Sequence, residues 1–365
     1  MPNDYASVQY KEYLRRLKEA LAELPPFCEE FFRGIESTTL IRTRYAYAVD
    51  LRLFFKYLVG ELDSFQEYSV KALTLAALDR VTATEIEMFL GHISLYTNEE
   101  NAEVLNHERA KARKLSALRS MYKYFLKKEK ITHNSPALVD IPVIREKSIV
   151  RLEPDEVANL LDAVQSGEGL SETQKKYHKL TQSRDLAILT LFLGTGIRIS
   201  ELVGIDMDDI NFNANEFSIV RKGGKQDILV FGDEARAALL TYMLKRERLS
   251  AAEGHENALF LSLQNKRLTV RAIENLVKKY ASVATPLKKI SPHKLRSTYG
   301  TSLYRETGDI YLVADVLGHR DVNTTRKHYA AISEDRRRLA AKVVKLREDA
   351  PKPKNGAKSE EKPED

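Results

Sequence analysis

Between Leu186 and Leu193 the chain is apolar on nearly every side of a helix, and the run stops at Gly194-Thr195-Gly196. A helix without a polar face must be surrounded by protein, so this segment predicts a central core helix. Its neighbours supply the surroundings. Glu153-Pro154 opens a helix with proline near the first turn, carried on by Val157, Leu160, Leu161 and Val164. Residues 216–221 and 226–231 alternate as strands around Gly223-Gly224, which reads as a β-hairpin, and Ala258-Leu259-Phe260-Leu261 reads as a short strand. Asp233 is expected to cap a helix running to Leu249. Helices at 269–283, 292–307, 310–317, 323–331 and 333–348 follow. The polar stretch from Gly167 to Ser183 has little to bury and is expected as a surface excursion.

The first 132 residues read as almost entirely helical. Ser37, Thr38 and Thr39 offer an N-cap to a helix with Tyr45, Leu51, Phe54, Phe55 and Leu58 at helical spacing. A second helix, 82–96, opens near Thr82 or Thr84 and carries Ile86, Phe89, Leu90 and Ile93. A third, 107–129, places Leu115, Leu118, Tyr122 and Phe125 on one stripe, and its remaining surface is basic, with Arg113, Lys114 and Arg119 among the cations. Asn134-Ser135-Pro136 stops it, and two prolines in an extended stretch mark a linker. The expected division is a helical domain over 1–134, a linker over 135–150, a second domain over 151–349 and a disordered tail over 350–365. The whole is mainly α with a small β-sheet.

With 43% apolar and 30% charged residues, the composition is that of a soluble globular protein. A net charge of +6 leans towards a polyanionic partner. Cys28 is the single cysteine, which excludes an internal disulfide or a cysteine-based zinc site and suits a reducing cytoplasm. No apolar run approaches a membrane span, so no membrane partner is expected.

Four clusters carry candidate chemistry. Gly196-Ile197-Arg198-Ile199-Ser200-Glu201 sets an arginine after the core helix with a carboxylate three residues on; a surface ion pair at a helix start fits the same residues. Arg221-Lys222-Gly223-Gly224-Lys225 places two lysines at a hairpin tip, where they are either solvated or offered to a DNA groove. In Ser291-Pro292-His293-Lys294-Leu295-Arg296, His293 and Arg296 share one face of a helix N-terminus, an anion site in form. In the last cluster Gly318 closes a helix, His319 leaves the turn, Asn323 can cap the next helix and Tyr329 lies two turns along it. The eight histidines are scattered without a carboxylate pair and no Gly-rich phosphate loop is present, so neither metal nor ATP is expected as a cofactor.

Taken in order, these clusters resemble the tyrosine recombinase/integrase family, and within it the Xer-type bacterial recombinases, over residues 30–335. The resemblance implies a core-binding, SAM-like N-terminal bundle and an α+β catalytic domain. It implies Tyr329 as a nucleophile forming a 3′-phosphotyrosyl link, Arg198 and Arg296 as clamps on the non-bridging oxygens, and Lys222 as the donor to the leaving 5′ oxygen, favoured by the family pattern over its rival Lys225. His293 is implied to assist proton removal or to hold the phosphate, His319 to add a hydrogen bond to it, Glu201 to orient an arginine, and Arg113, Lys114, Arg119 and Lys225 to touch DNA. Three departures are visible: Ser297 follows Arg296 where many relatives carry a second histidine, His319 and Tyr329 are ten positions apart where many have nine, and the Gly167–Ser183 stretch, like the N-terminus, is longer than usual for a Xer-type protein. The implied partner is double-stranded DNA with specific recombination sites, bound by a homotetramer, and an accessory protein is a further partner the resemblance allows. The implied activity is strand exchange through a Holliday junction. Xer-like chromosome dimer resolution leads over mobile-element integration, since the stretch before residue 30 is short for a separate arm-binding domain. A type IB topoisomerase and a non-catalytic DNA-binding protein are the weaker readings.

Overall fold

The computed structural model describes residues 5–97, 101–144, 150–221, 224–319, 321–323 and 325. They form two compact units, residues 1–148 and 149–365. Among them no helix is long and apolar enough to cross a membrane.

In the first unit α1 (Tyr5–Leu21), α2 (Phe27–Gly34) and α3 (Ile41–Glu61) are followed by α4 (Leu75–Arg80) and α5 (Ala83–His92). A hairpin of β1 (Leu95–Thr97) and β2 (Glu103–Leu105) leads to α6 (Glu108–Lys127) and α7 (Ser135–Leu138). The expected apolar stripes meet in one core, where Phe31, Phe54, Phe55, Phe65, Phe89, Tyr122 and Phe125 are fully buried. Tyr122 keeps its hydroxyl satisfied by donating to the Leu78 carbonyl at 3.0 Å. Thr82 and Glu85 cap α5 reciprocally, each side chain accepting the other's backbone N–H.

Three local expectations are corrected. Ser37, Thr38 and Thr39 do not cap α3, which starts after Leu40 without a side-chain cap; Thr39 N–H instead closes the end of α2 on the Ile35 carbonyl, 2.9 Å away. The helix expected to reach residue 96 ends at His92, and Leu95 pairs with Leu105 across the hairpin. Strands of three residues are too short to show an alternation. The stretch from 135 is not extended either. Ser135 donates to the Val81 carbonyl at 2.6 Å, and Arg119 donates to the carbonyls of Pro136 (2.9 Å) and Val139 (2.5 Å). Val139 is buried with the bundle core, so the bundle extends five residues past 134.

The second unit begins with α8 (Pro154–Ser166), α9 (Glu172–Thr195) and α10 (Ile199–Gly204). A three-stranded antiparallel sheet follows, ordered β3 (Ile210–Asn211), β4 (Glu216–Val220), β5 (Gln226–Val230). Then come α11 (Asp233–Arg246), α12 (Val270–Ala284), α13 (Pro292–Thr307) and α14 (Ile310–Val316). The core helix is as expected: α9 packs against α8, α11 and α13, and Ala187, Ile188, Leu189, Leu191 and Phe192 are buried.

The polar stretch before it is exposed over residues 171–177, 179 and 180, as expected, but it is helix and not an irregular excursion. Ser171 and Gln174 form a capping box that starts α9 there, and His178, Thr181 and Ser183 are buried. Periodicity missed this half-helix because it buries few side chains, and those few are polar. Asp185, 1% exposed, accepts from Thr181 (3.0 Å), Lys279 (3.1 Å) and the Tyr280 hydroxyl (2.9 Å), and from Arg184 at 2.7 Å. The hairpin stands where expected, with Phe217 opposite Leu229, but with β3 as a third strand. Residues 258–261 are buried yet form only isolated bridges, Asp206 with Ala258 and Leu261 with Arg267. Asp233 is the first residue of α11, whose cap position belongs to Gly232.

Candidate active site

Three elements of the second unit converge on one backbone carbonyl. The first is the turn after α9. Gly196 ends that helix with φ 62°, its N–H bonded to the Phe192 carbonyl at 3.1 Å, and Arg198 then occupies the cap position of α10. Glu201, three residues on and buried, holds it doubly: Oε1 accepts from the Arg198 guanidinium at 2.7 Å and Oε2 from its backbone N–H at 2.9 Å. The other arm of Arg198 donates to the carbonyls of Leu317 (3.2 Å) and Gly318 (3.0 Å).

The second element is the start of α13. Ser291 takes the cap position through its carbonyl, which accepts the Lys294 N–H at 2.8 Å, and not through its hydroxyl. Pro292 opens the helix, His293 is exposed, and Arg296 points inward at 5% exposure. Arg296 donates to the Gly196 carbonyl at 2.5 Å and, through its other arm, to the Leu317 carbonyl.

The third element is the end of α14, where Val313 and Leu317 pack on Tyr299, Leu303 and Tyr304. The last carbonyls of a helix have no partner within it and carry its negative dipole end. Here arginines supply the donors. Gly318 closes the helix with φ 58°, as expected of a C′ glycine, and its N–H bonds the Asp315 carbonyl at 2.7 Å. His319 follows, half-buried, with Nδ1 2.7 Å from the hydroxyl of the fully buried Thr325. Asp321, not Asn323, supplies the side-chain acceptor beyond, taking the Asn323 N–H at 2.9 Å.

A residue that sequence reasoning passed over joins this cluster. Arg221 is 8% exposed and donates to Leu317 (3.2 Å) and Val316 (3.1 Å), while its Nε binds Asp227 at 2.6 Å. The signal was the strand alternation. Phe217 and Ile219 point inward from β4, and Arg221 is the next residue of that face. A Cβ on Gly318 would lie 2.5 Å from the Arg221 guanidinium, so space as well as backbone conformation requires glycine there. Gly318→Ala is therefore expected to destabilise the chain by at least about 1 kcal/mol from the left-handed backbone alone. Urea unfolding followed by circular dichroism checks this, and an unchanged midpoint would contradict the packing described.

Of the expected site residues, Arg198, Arg296 and His319 are thus brought to one place, with His293 on the exposed side of the helix that carries Arg296. Lys222 and Tyr329 lie outside the described residues. Lys225 is exposed and its carbonyl accepts the Arg221 N–H at 2.7 Å.

In the first unit the expected DNA-facing cations are partly redirected. Lys114 is a correction: it is buried, its ammonium 3.4 Å from the Asn106 side-chain oxygen and 3.8 Å from Asp50. Arg119 is turned to the α7 carbonyls. Arg113 stays half exposed but is bonded to Asp50 at 2.5 Å. Burial pushes the Asp50 carboxyl up to about 6 against the pull of Arg113 and Lys114. The exposed cations of α6 are Arg109, Arg113, Lys123 and Lys127.

Comparison with known proteins gives a consistent frame. The profile of the phage integrase family matches residues 150–336. Tyrosine recombinase XerC of Caldanaerobacter subterraneus subsp. tengcongensis is 32% identical over 320 residues, covering 84% of this chain and 83% of its own. Tyrosine recombinase XerS of Streptococcus pyogenes serotype M28 is 28% identical over 351 residues, covering 89% and 97%. Among solved structures, XerH site-specific recombinase bound to palindromic difH substrate aligns with a TM-score of 0.60 at 20% identity, covering 83% of this chain and 79% of that one. The Tn1549 transposon integrase in complex with circular intermediate DNA aligns with a TM-score of 0.61 at 17% identity, covering 87% and 99%. These two likenesses show the fold.

Proposed function

The chain belongs to the phage integrase family of tyrosine recombinases, and from that premise we propose that it is a site-specific DNA recombinase working through a 3′-phosphotyrosyl intermediate. The observation that carries the reading is the meeting of Arg198 and Arg296 at the Leu317 carbonyl, two residues before His319.

Attack on a phosphodiester builds negative charge on the two non-bridging oxygens. Planar guanidinium forks suit those oxygens better than ammonium groups do, and their value rises when they are fixed before the reaction. Here the fixing groups are Glu201 and the carbonyls of Gly196, Leu317 and Gly318. Arg198 keeps 32% of its side chain exposed, as a group meeting a substrate from solvent requires. Tyr329 is assigned to the attack, His293 to taking its proton or holding the phosphate, His319 to a further hydrogen bond on the phosphate, and Lys222 to protonation of the departing 5′ oxygen. The phosphotyrosine conserves the energy of the broken bond, so rejoining needs no ATP.

The proposed partner is duplex DNA, held through phosphate contacts from exposed cations such as Arg109, Lys123 and Lys225. The proposed assembly is a homotetramer on two sites, and the proposed role is Xer-like resolution of chromosome dimers in the cytoplasm. The similarity to XerC and XerS over 83% and 97% of their lengths supports that role.

The test is capture. Wild-type protein is incubated, with EDTA and without ATP, with a pool of nicked duplexes of randomised sequence. An SDS-resistant protein–DNA adduct, a released strand ending in 5′-hydroxyl and a preferred sequence in the captured DNA are expected. Absence of any adduct overturns the enzymatic reading, and capture without sequence preference favours a topoisomerase.

A further inference from the structure

Three guanidiniums meet at Leu317, and only two of them, Arg198 and Arg296, serve the proposed phosphate clamp. Arg221 is the third. We propose that it is a positioning residue for leaving-group protonation, tying the end of β4, where the tip carrying Lys222 begins, to the carbonyl end of α14. The inference rests on the recombinase reading above and on Lys222 as the donor.

Among the described residues, no apolar side chain of the hairpin beyond Ile219 is buried at its far end. Its apolar contacts with the body of the unit come from Phe217, Ile219 and Leu229, all buried, while Val220, Ile228 and Val230 are exposed on the other face. Arg221 is the next inward position beyond Ile219. An apolar residue would continue the pattern at no electrostatic cost, whereas a buried arginine is tolerated only with its N–H groups satisfied. Each of its three nitrogens has a partner within the protein. Nε binds Asp227 on the opposite strand at 2.6 Å, Nη1 the Leu317 carbonyl at 3.2 Å, and Nη2 the Val316 carbonyl at 3.1 Å. Glu201, which also holds Arg198, lies 3.8 Å from Nη1.

One rigid planar group therefore joins both arms of the hairpin and docks them on the turn that leads to His319. Arg221 N–H to the Lys225 carbonyl (2.7 Å) and Gly224 N–H to the Arg221 carbonyl (3.0 Å) close the base of the tip on the same residue. All three of its nitrogens, Nε included, are bonded to the hairpin and the α14 end, so this arginine ties those two segments together. A lysine could not span the same three directions.

In the cleavage step the Tyr329 hydroxyl gives its proton to a base, the role His293 is assigned, and its oxygen bonds to phosphorus; the bond from phosphorus to the 5′ oxygen breaks, and that oxygen takes a proton from Lys222. A duplex with sulfur in place of the bridging 5′ oxygen releases a thiolate, which departs without the proton. The experiment measures single-turnover cleavage of oxygen and sulfur duplexes by the full chain and by Arg221→Gln, Asp227→Asn and Lys222→Ala. Arg221→Gln is expected to slow the oxygen substrate by about 100-fold, the low end of what general acid catalysis contributes, and to cleave the sulfur substrate within about threefold of wild type. Asp227→Asn, a mild change on a more exposed strand, is expected to show the same pattern at smaller amplitude, which keeps the test open if Arg221→Gln folds poorly. Rescue of Lys222→Ala by sulfur with no rescue of the Arg221 and Asp227 variants would leave the recombinase reading standing and overturn the inference. No rescue of Lys222→Ala would remove Lys222 as donor, and the inference with it.

Discussion

A chain carrying Tyr329→Phe is expected to bind its DNA site with wild-type affinity and to form no covalent adduct. The phenyl ring keeps the volume of the side chain and removes only the oxygen that would bond to phosphorus, so duplex affinity, set by phosphate contacts from many cations, should not move. The chemical step loses its nucleophile altogether. In other covalent mechanisms such a loss costs on the order of 10⁶ in rate, which places cleavage below detection. Three buried or half-buried tyrosines of the second unit offer poor substitutes. Tyr280 donates to the Asp185 carboxylate, and burial and then that charge push its phenol up, away from the ionised form. Tyr242 donates to the Leu259 carbonyl, and Tyr299 is half-buried with its phenol likewise pushed up by burial. Gel shift with intact duplex and SDS-resistant capture on nicked duplex read the two halves of this expectation separately. An adduct surviving in Tyr329→Phe would assign the attack to another tyrosine and remove the site as drawn.

What the sequence disclosed about this site follows from how each residue is held. Arg198, Arg296 and Gly318 were legible because each sits at a helix terminus, where caps, prolines and glycines leave marks in the chain. Glu201 was readable as an orienting group from its three-residue step, and its bonds to Arg198 agree with that. Arg221 was not read, although its motif was, because an arginine next to a glycine-rich turn suggests solvent. The information lay in the alternation with Phe217 and Ile219. The acceptors that permit its burial come from Val316 and Leu317, almost a hundred residues away, and no local pattern announces them. Lys114 failed for a related reason. It borders the apolar stripe of α6, and the counter-charge that draws it inward, Asp50, belongs to α3. The first half of α9 is the same lesson at the scale of an element: most of it is exposed, and its few buried side chains, His178, Thr181 and Ser183, leave no apolar period to find.

The partners of that polar half-helix make Asp185→Ala the largest stability change expected in the second unit. Asp185 is 1% exposed and lies between the Arg184 guanidinium and the Lys279 ammonium, while Thr181 and Tyr280 give it hydroxyl hydrogens. A buried carboxylate with two cations gains little net energy over an apolar substitute, because desolvation of the charges offsets their attraction. Removing the carboxylate is different, since it leaves two cations and two hydroxyls short of an acceptor, Arg184 keeping only the Leu261 carbonyl, at a cost of about 3–5 kcal/mol. Lys279 and Arg184 keep only 20% and 13% of their side chains exposed, so water offers limited relief. Lys279→Met should cost much less, because Asp185 keeps three of its four partners. Urea unfolding of the full chain, followed by circular dichroism, tests the ranking: the Asp185→Ala midpoint should fall well below that of Lys279→Met. A double-mutant cycle with Tyr280→Phe should give clear coupling, since both variants interrupt the same 2.9 Å bond. Additive losses, or equal midpoints for Asp185→Ala and Lys279→Met, would show that this network does not hold α9 to α12. Catalysis by the folded fraction should be unchanged, because no side chain of the network reaches the carbonyl of Leu317 where Arg198, Arg221 and Arg296 meet.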